Sequence, residues 1–212
     1  MFTITSFTFS PVAENTYVLG NGAGDCIIID PGCYFGNERR ELADYISENA
    51  LRPKYLLNTH CHLDHVFGNK FVHDTYGLTP YVHPLEQVVL ENAPDAAIRW
   101  NLPFDNYKGP LEYLRENDVV RLGTDELQVL FAPGHSPGHI CFYCPAQHFI
   151  IGGDVLFRQS IGRTDLPGGD FDTLINSIRT KLFVLPGETV VYPGHGDATT
   201  IAYEKANNPF LK

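Results

Sequence analysis

The run Thr59-His60-Cys61-His62-Leu63-Asp64-His65 places three imidazoles and a carboxylate within six residues. Imidazole nitrogens and carboxylate oxygens are donors that zinc, iron and manganese accept. Four such donors packed this tightly suit a catalytic metal centre better than a folded core. The run follows a short apolar stretch, residues 54–58, that reads as a strand. His60 and His62 sit two apart, so on a strand end both point to one side. Asp64 and His65 follow where the chain can enter a helix. A strand end that feeds a helix start can present two ligand pairs to two adjacent metal positions.

Single donors recur downstream in a common setting. Ala132-Pro133-Gly134-His135 follows an apolar strand over 127–131, Gly152-Gly153-Asp154 follows one over 149–151, and Pro193-Gly194-His195 follows one over 190–192. Each is a strand, then Gly or Pro, then one ligand-type side chain. Such turns bring side chains to one edge of a sheet, and a Gly beside the donor permits close approach.

On these residues the chain resembles the metallo-β-lactamase-fold hydrolases, whose signature is His-x-His-x-Asp-His followed by single His, Asp and His ligands in later loops. It is similar, within them, to the short glyoxalase II-like proteins (hydroxyacylglutathione hydrolases). The stretch Gly153-Asp154-Val155-Leu156-Phe157-Arg158-Gln159-Ser160-Ile161-Gly162-Arg163-Thr164-Asp165 and the ending Pro193-Gly194-His195-Gly196-Asp197 carry that likeness. The resemblance implies a four-layer αβ/βα sandwich and two divalent metal ions, zinc foremost, with iron or manganese as alternatives. By the family pattern His60, His62 and His135 hold one ion. Asp64, His65 and His195 hold the other, and Asp154 bridges them. The implied reaction is thioester hydrolysis, for example of S-lactoylglutathione, by a metal-bound hydroxide that Asp64 orients and whose proton it takes up as the hydroxide attacks. A runner-up shares the motif and the Gly162–Asp165 loop: a persulfide dioxygenase with a mononuclear iron site. A metal-binding electron-transfer module is a third reading. Full-length glyoxalase II proteins carry a C-terminal helical domain that supplies much of the glutathione surface. Here Lys212 follows His195 by 17 residues, so the thiol carrier is left open.

The elements that must position these residues read as mixed α and β. Strands are expected over 2–9, 16–20, 26–30, 55–57, 79–82, 119–122, 127–131, 140–144, 148–151 and 189–192. Helices are expected over 37–50, with Asn37 as N-cap, over 64–76, from Pro84 to about 98 with a break at Pro94, and over 171–183. The segment 99–114 is irregular and rich in aromatics. It either rims the binding site, with Trp100 as a substrate contact, or tucks its rings into the core. Arg163 either pairs with Asp165 or holds a substrate carboxylate. His139 is expected to support the ligands rather than join them, and Cys61 to point away from its neighbours.

Composition narrows the class. One domain spanning 1–212, with 43% hydrophobic residues, is long enough for a sizeable core. The net charge of −10 disfavours a nucleic-acid partner, which demands a basic surface. No apolar stretch reaches membrane-spanning length, and no signal peptide is visible at the start. Five cysteines, an odd number, fit reduced thiols in the cytoplasm. The expected partner is therefore a small-molecule thioester, with neither nucleic acid nor membrane; oligomeric state is not encoded in any pattern here.

Overall fold

Strands that are apolar on both faces decide the architecture. The computed structural model describes residues 1–212. Its chain opens with β1 (Thr3–Phe9), β2 (Glu14–Gly20) and β3 (Asp25–Ile29). In β3, Cys26 and Ile28 face one way and Ile27 and Ile29 the other, and all four are fully buried. Such a strand needs a packed layer on each side.

The first sheet continues through β4 (Arg52–Leu57), β5 (Pro80–Val82) and β6 (Glu112–Tyr113), antiparallel up to β3 and parallel beyond it. The second begins with β7 (Val119–Leu122), β8 (Asp125–Phe131), β9 (Ile140–Cys144) and β10 (Phe149–Gly153). A small hairpin, β11 (Leu156–Phe157) with β12 (Ser160–Ile161), follows. Then β13 (Val190–Pro193) and β14 (Thr199–Thr200) complete the second sheet in the order β14-β13-β10-β9-β8-β7. The helices are α1 (Gly36–Glu48), α2 (Leu63–Val66), α3 (Asn69–Tyr76), α4 (Gln87–Arg99), α5 (Phe171–Ser177) and α6 (Ile201–Asn207).

Alternation along the strands sorts the core into three sheets of contact. Tyr17, Leu19, Ile27, Ile29 and Leu57 of the first sheet meet Leu127, Val129, Ile140, Phe142 and Ile151 of the second. The opposite face of the first sheet, with Val18, Cys26, Ile28 and Leu56, packs on Leu42 and Ile46 of α1 and Val72 of α3. The opposite face of the second, with Cys141, Tyr143, Ile150 and Val191, packs on Leu174 of α5, the following turn at Ile178 and Leu182, and Ile201 of α6. The result is the four-layer αβ/βα sandwich that the resemblance implied. No helix is long and apolar enough to cross a membrane, and all five cysteines are buried free thiols.

Several elements differ from the sequence expectations, each for a local reason. Asn37 does not cap α1. The helix starts at Gly36, because the Glu38 carboxylate accepts from the Phe35 and Ser10 backbone N–H groups, both at 2.9 Å. The helix expected over 64–76 is interrupted between α2 and α3. There the Gly68 N–H donates to the Pro31 carbonyl at 2.6 Å, and a Cβ at Gly68 would lie 2.4 Å from the Cys33 Sγ. Pro94 does not break α4. Its missing N–H frees the Leu90 carbonyl, and the buried Asn106 side chain supplies the donor at 2.7 Å. The helix expected over 171–183 changes to a π-helical turn at Ile178–Leu182. The C-terminal helix α6 was not expected; Thr200 caps it by accepting from the Tyr203 N–H at 3.2 Å.

The segment 99–114 proves to be divided. Tyr107 is buried with its hydroxyl on the Pro110 carbonyl, Phe104 packs edge-on against Phe67, and residues 112–113 pair as β6. Trp100, at the end of α4, stays half exposed.

Candidate metal centre

The donors gather because strands end there. His60 follows β4, His135 follows β8, Asp154 follows β10 and His195 follows β13. The parallel pairing of β10 with β13 brings the last two together. Asp64 and His65 stand on α2, directly after the β4 loop. A glycine makes room at the closest point: a Cβ on Gly194 would lie 2.1 Å from the Asp154 Oδ1. Gly153 adopts a left-handed φ of 49°, which turns the chain so that Asp154 faces the centre.

Two donor sets result. His60, His62 and His135 offer nitrogens within 4.8 Å of one another, and so do Asp64, His65 and His195 with their nearest donor atoms. Asp154 lies against both. Its Oδ2 is 3.5 Å from the His135 Nε2 and 3.6 Å from the His195 Nε2, and its Oδ1 is 3.5 Å from the His65 Nε2. The Asp64 Oδ2 is 3.1 Å from the His195 Nε2.

Four of the five imidazoles in these sets have their outward ring nitrogen occupied. The Nδ1 atoms of four histidines contact protein oxygens: His60 the Thr59 Oγ1 at 3.1 Å, His65 the Asp30 Oδ2 at 3.0 Å, His135 the Arg163 carbonyl at 2.7 Å and His195 the Ala13 carbonyl at 3.1 Å. Those contacts fix the Nδ1–H tautomer and leave each Nε2 lone pair facing inward, the pattern of metal-ligating imidazoles. His62 is turned the other way, with its Nδ1 2.8 Å from the His135 Nε2. The buried His60 Nε2, His65 Nε2 and Asp154 Oδ1 have no hydrogen-bond partner. Orphaned polar atoms of this kind are costly unless something meets them, and a divalent cation would.

The electrostatics agree. Burial holds the His60 imidazole well below its usual range, reinforced by His65 and His62. Burial likewise lowers His62 to about 3. Burial would raise the Asp154 carboxyl, but His65, His135 and His195 hold it far below the usual carboxylate range. Neutral imidazole and ionised carboxylate are the ligating forms. His65 and His195 are the exceptions. Burial opposes charge on both, yet Asp64, Asp154 and Asp30 raise His65 well above the usual value, and Asp64 and Asp154 raise His195. That excess of negative field attracts a cation, whether a proton or a metal ion.

Asp30, His60 and His65 also fall within 4.8 Å. Asp30 is already engaged: it accepts from the Thr59 N–H at 2.7 Å, the Thr59 hydroxyl at 2.6 Å and His65. It orients the site rather than offering a free donor. Sequence reading passed over it; its position at the end of β3, before Pro31-Gly32, was the available signal. His139 behaves as expected. It is buried, stacks on His60 and accepts from the Asp154 N–H at 3.0 Å. Cys61 points away into a cluster with Val66, Val82, Leu90 and Ala93.

The centre opens into a cavity of about 870 Å³. Val88, Val89, Ala96 and Trp100 of α4 and its end form one wall, with Phe157 and Leu166 among the other apolar residues. The charged side chains on its lining are Asp64, Asp154, Arg99 and Arg163. Arg163 is held by Asp165 through two contacts of 2.7 and 2.8 Å. Arg99, which sequence reading did not single out, is exposed and makes no side-chain hydrogen bond or ion pair.

Comparison with known proteins gives consistent matches. A family model described as the metallo-beta-lactamase superfamily matches residues 10–195. Hydroxyacylglutathione hydrolase GloC of Haemophilus influenzae is 38% identical over 200 residues, covering 93% of this chain and 92% of that protein. The crystal structure of BLEG-1 B3 metallo-beta-lactamase superposes with a TM-score of 0.91 at 36% identity, over 99% of this chain and 100% of that one. The structure of TTHA1623 in a di-iron-bound form gives 0.88 at 40% identity, over 98% and 100%.

Proposed function

This chain belongs to the metallo-beta-lactamase superfamily, and from that premise we propose that it hydrolyses a small acyl thioester, with S-lactoylglutathione as the first compound to test. His60, His62 and His135 would hold one divalent ion, Asp64, His65 and His195 a second, and Asp154 would serve both. The observation that carries the reading is the convergence of two donor sets on Asp154, with the His60 Nε2, His65 Nε2 and Asp154 Oδ1 atoms left unpartnered. The GloC relative supports the thioester class. Zinc and iron both suit imidazole-rich sites, and the di-iron form of TTHA1623 keeps iron in view.

When bound, such ions supply a water of lowered pKa and a Lewis acid for the carbonyl. The protein's own groups do the rest. Asp64 presents its Oδ2 beside His195, where it can orient the attacking water and accept its proton. The α4 wall offers an apolar surface to the apolar part of the substrate. Arg99 offers an unpaired guanidinium to a substrate carboxylate, because Arg163 is committed to Asp165. Thiolate is a good leaving group, so no dedicated acid is required on its side.

The test compares substrates. Free-thiol release from S-lactoylglutathione or a simpler acyl thioester is expected to exceed turnover of a bis-aryl phosphodiester or a chromogenic β-lactam by about 100-fold in kcat/KM, or roughly 2.7 kcal/mol. Faster cleavage of either competitor would overturn the assignment. The runner-up, a persulfide dioxygenase at one iron, uses the same histidines; oxygen uptake with glutathione persulfide separates it from hydrolysis.

Trp100 provides a second check. Half exposed and on the cavity wall, it can contact substrate without touching the centre. Trp100→Ala is expected to raise KM about 3- to 10-fold with kcat nearly unchanged, the mark of lost uniform binding. Unchanged kinetics with a lower Tm would show that the ring only packs.

A further inference from the structure

Glu86 is a fully buried carboxylate outside both donor sets. It ends the short 3-10 turn Pro84–Glu86, immediately before α4. Its Oε2 accepts from the Cys61 N–H at 2.7 Å. Its Oε1 accepts from the Ser136 hydroxyl and from the Gly138 N–H, both at 2.6 Å. Cys61 lies between His60 and His62, and Ser136 follows His135. One side chain thus grips the immediate neighbours of all three imidazoles of the first set. It makes no hydrogen bond to a residue adjacent to Asp64, His65, Asp154 or His195. The fit is close: a Cβ on Gly138 would lie 2.8 Å from the Glu86 Cγ and 2.9 Å from its N.

The two loops so joined come from different sheets. The His60 loop leaves β4 of the first sheet, and the His135 loop leaves β8 of the second. Glu86 spans the seam between them. It also immediately precedes α4, whose Val88, Val89, Asn92 and Ala96 line the cavity.

We propose that Glu86 is a positioning residue that locks the His60–His62 and His135 loops in register, so that three imidazoles meet at one point, and ties the substrate-facing helix α4 to that frame. This rests on the two-site reading above. The donor count explains why a carboxylate is needed. Two backbone N–H groups, which can only donate, meet one carboxylate oxygen each, with the Ser136 hydroxyl adding a third bond, so both oxygens of the side chain must accept. A glutamine has one acceptor oxygen, which can keep Ser136 and Gly138. Its NH₂ would then oppose the Cys61 N–H, donor against donor. Glu86→Gln therefore loosens the His60–His62 arm while leaving the His135 arm held.

The experiment uses the full chain in two forms. In metal-free Glu86→Gln, hydrogen exchange read by NMR should show the Cys61 amide exchanging at least about tenfold faster, with Gly138 changed by less than about threefold. In a cobalt(II) titration followed by hyperfine-shifted imidazole N–H signals, the three-histidine site should weaken about 10- to 100-fold, and the Asp64–His65–His195 site less than about threefold. Equal weakening of both sites, or of neither, overturns the proposal, as does an unchanged Cys61 amide. If Glu86→Gln does not fold, Ser136→Ala removes one donor without opposing another. It should weaken the same site selectively by about threefold, and an unselective or absent effect overturns the proposal. Fewer than two cobalt ions in the unmodified chain would sink the two-site reading instead; the Cys61 amide would still decide the Glu86 contact.

Discussion

Asp154→Ala is expected to purify as a folded protein with at most one bound metal ion per chain, and to lose hydrolysis by at least about 10³-fold, some 4 kcal/mol of transition-state stabilisation. The reason is geometric. Under the two-site reading Asp154 is the one carboxylate within 3.6 Å of histidines from both donor sets, with Oδ1 toward His65 and Oδ2 toward His135 and His195. Removing it separates the two sets. It also removes the negative charge that, with Asp64 and Asp30, favours a cation beside His65. The fold should survive. The backbone N–H of residue 154 still donates to His139, and the glycine turn that shapes the loop is untouched. No new buried charge is created, since Asp64 and Asp30 still face His65. Metal analysis, activity and thermal unfolding on one preparation decide the matter. Two ions and normal turnover in this variant would end the dinuclear proposal.

Asp64→Asn should separate ligation from proton transfer. Asparagine keeps the size of the side chain and one oxygen toward His195, but it cannot accept a proton. With metal in excess, kcat is expected to fall about 10²- to 10⁴-fold, the range for a lost general base, while KM stays within about threefold. If Asp64 serves only as a ligand, excess metal should restore kcat instead. Its position supports the catalytic role: largely buried, it lies on the cavity lining as well as beside His195, so it faces both substrate and donors. A kcat equal to that of the unmodified chain would remove Asp64 from the chemistry.

The candidate donors were written in local sequence. His60, His62, Asp64 and His65 fall within six residues, and His135, Asp154 and His195 each follow an apolar strand and a Gly or Pro. The strands themselves were legible because both-face burial makes short runs such as Asp25–Ile29 and Ile140–Cys144 uniformly apolar. Local pattern misjudged Pro94, because the donor that replaces its missing N–H comes from Asn106, beyond the end of the helix. It also misjudged the start of α1, where Glu38 reaches across to Ser10.

Unlike His139, the buried carboxylates Glu86 and Asp30 were not singled out from the sequence as supports of the site. Glu86 grips Cys61, 25 positions before it, and Gly138, 52 positions after it. Asp30 grips Thr59 across 29 positions and His65 across 35. Neither residue type nor spacing marks such contacts, since a lone Glu or Asp is ordinarily a solvated surface group. Sheet order brings them together: β3 lies beside β4, and the two sheets stack face to face. Arg163 makes the local pair with Asp165, two positions on, that was one of its two expected roles, and packing left Arg99 unpaired at the cavity. Ligand chemistry needs only the right atoms at the ends of strands, which a single strand and its turn encode. Orientation of those atoms needs buried partners from other strands, and only the packed sandwich supplies them.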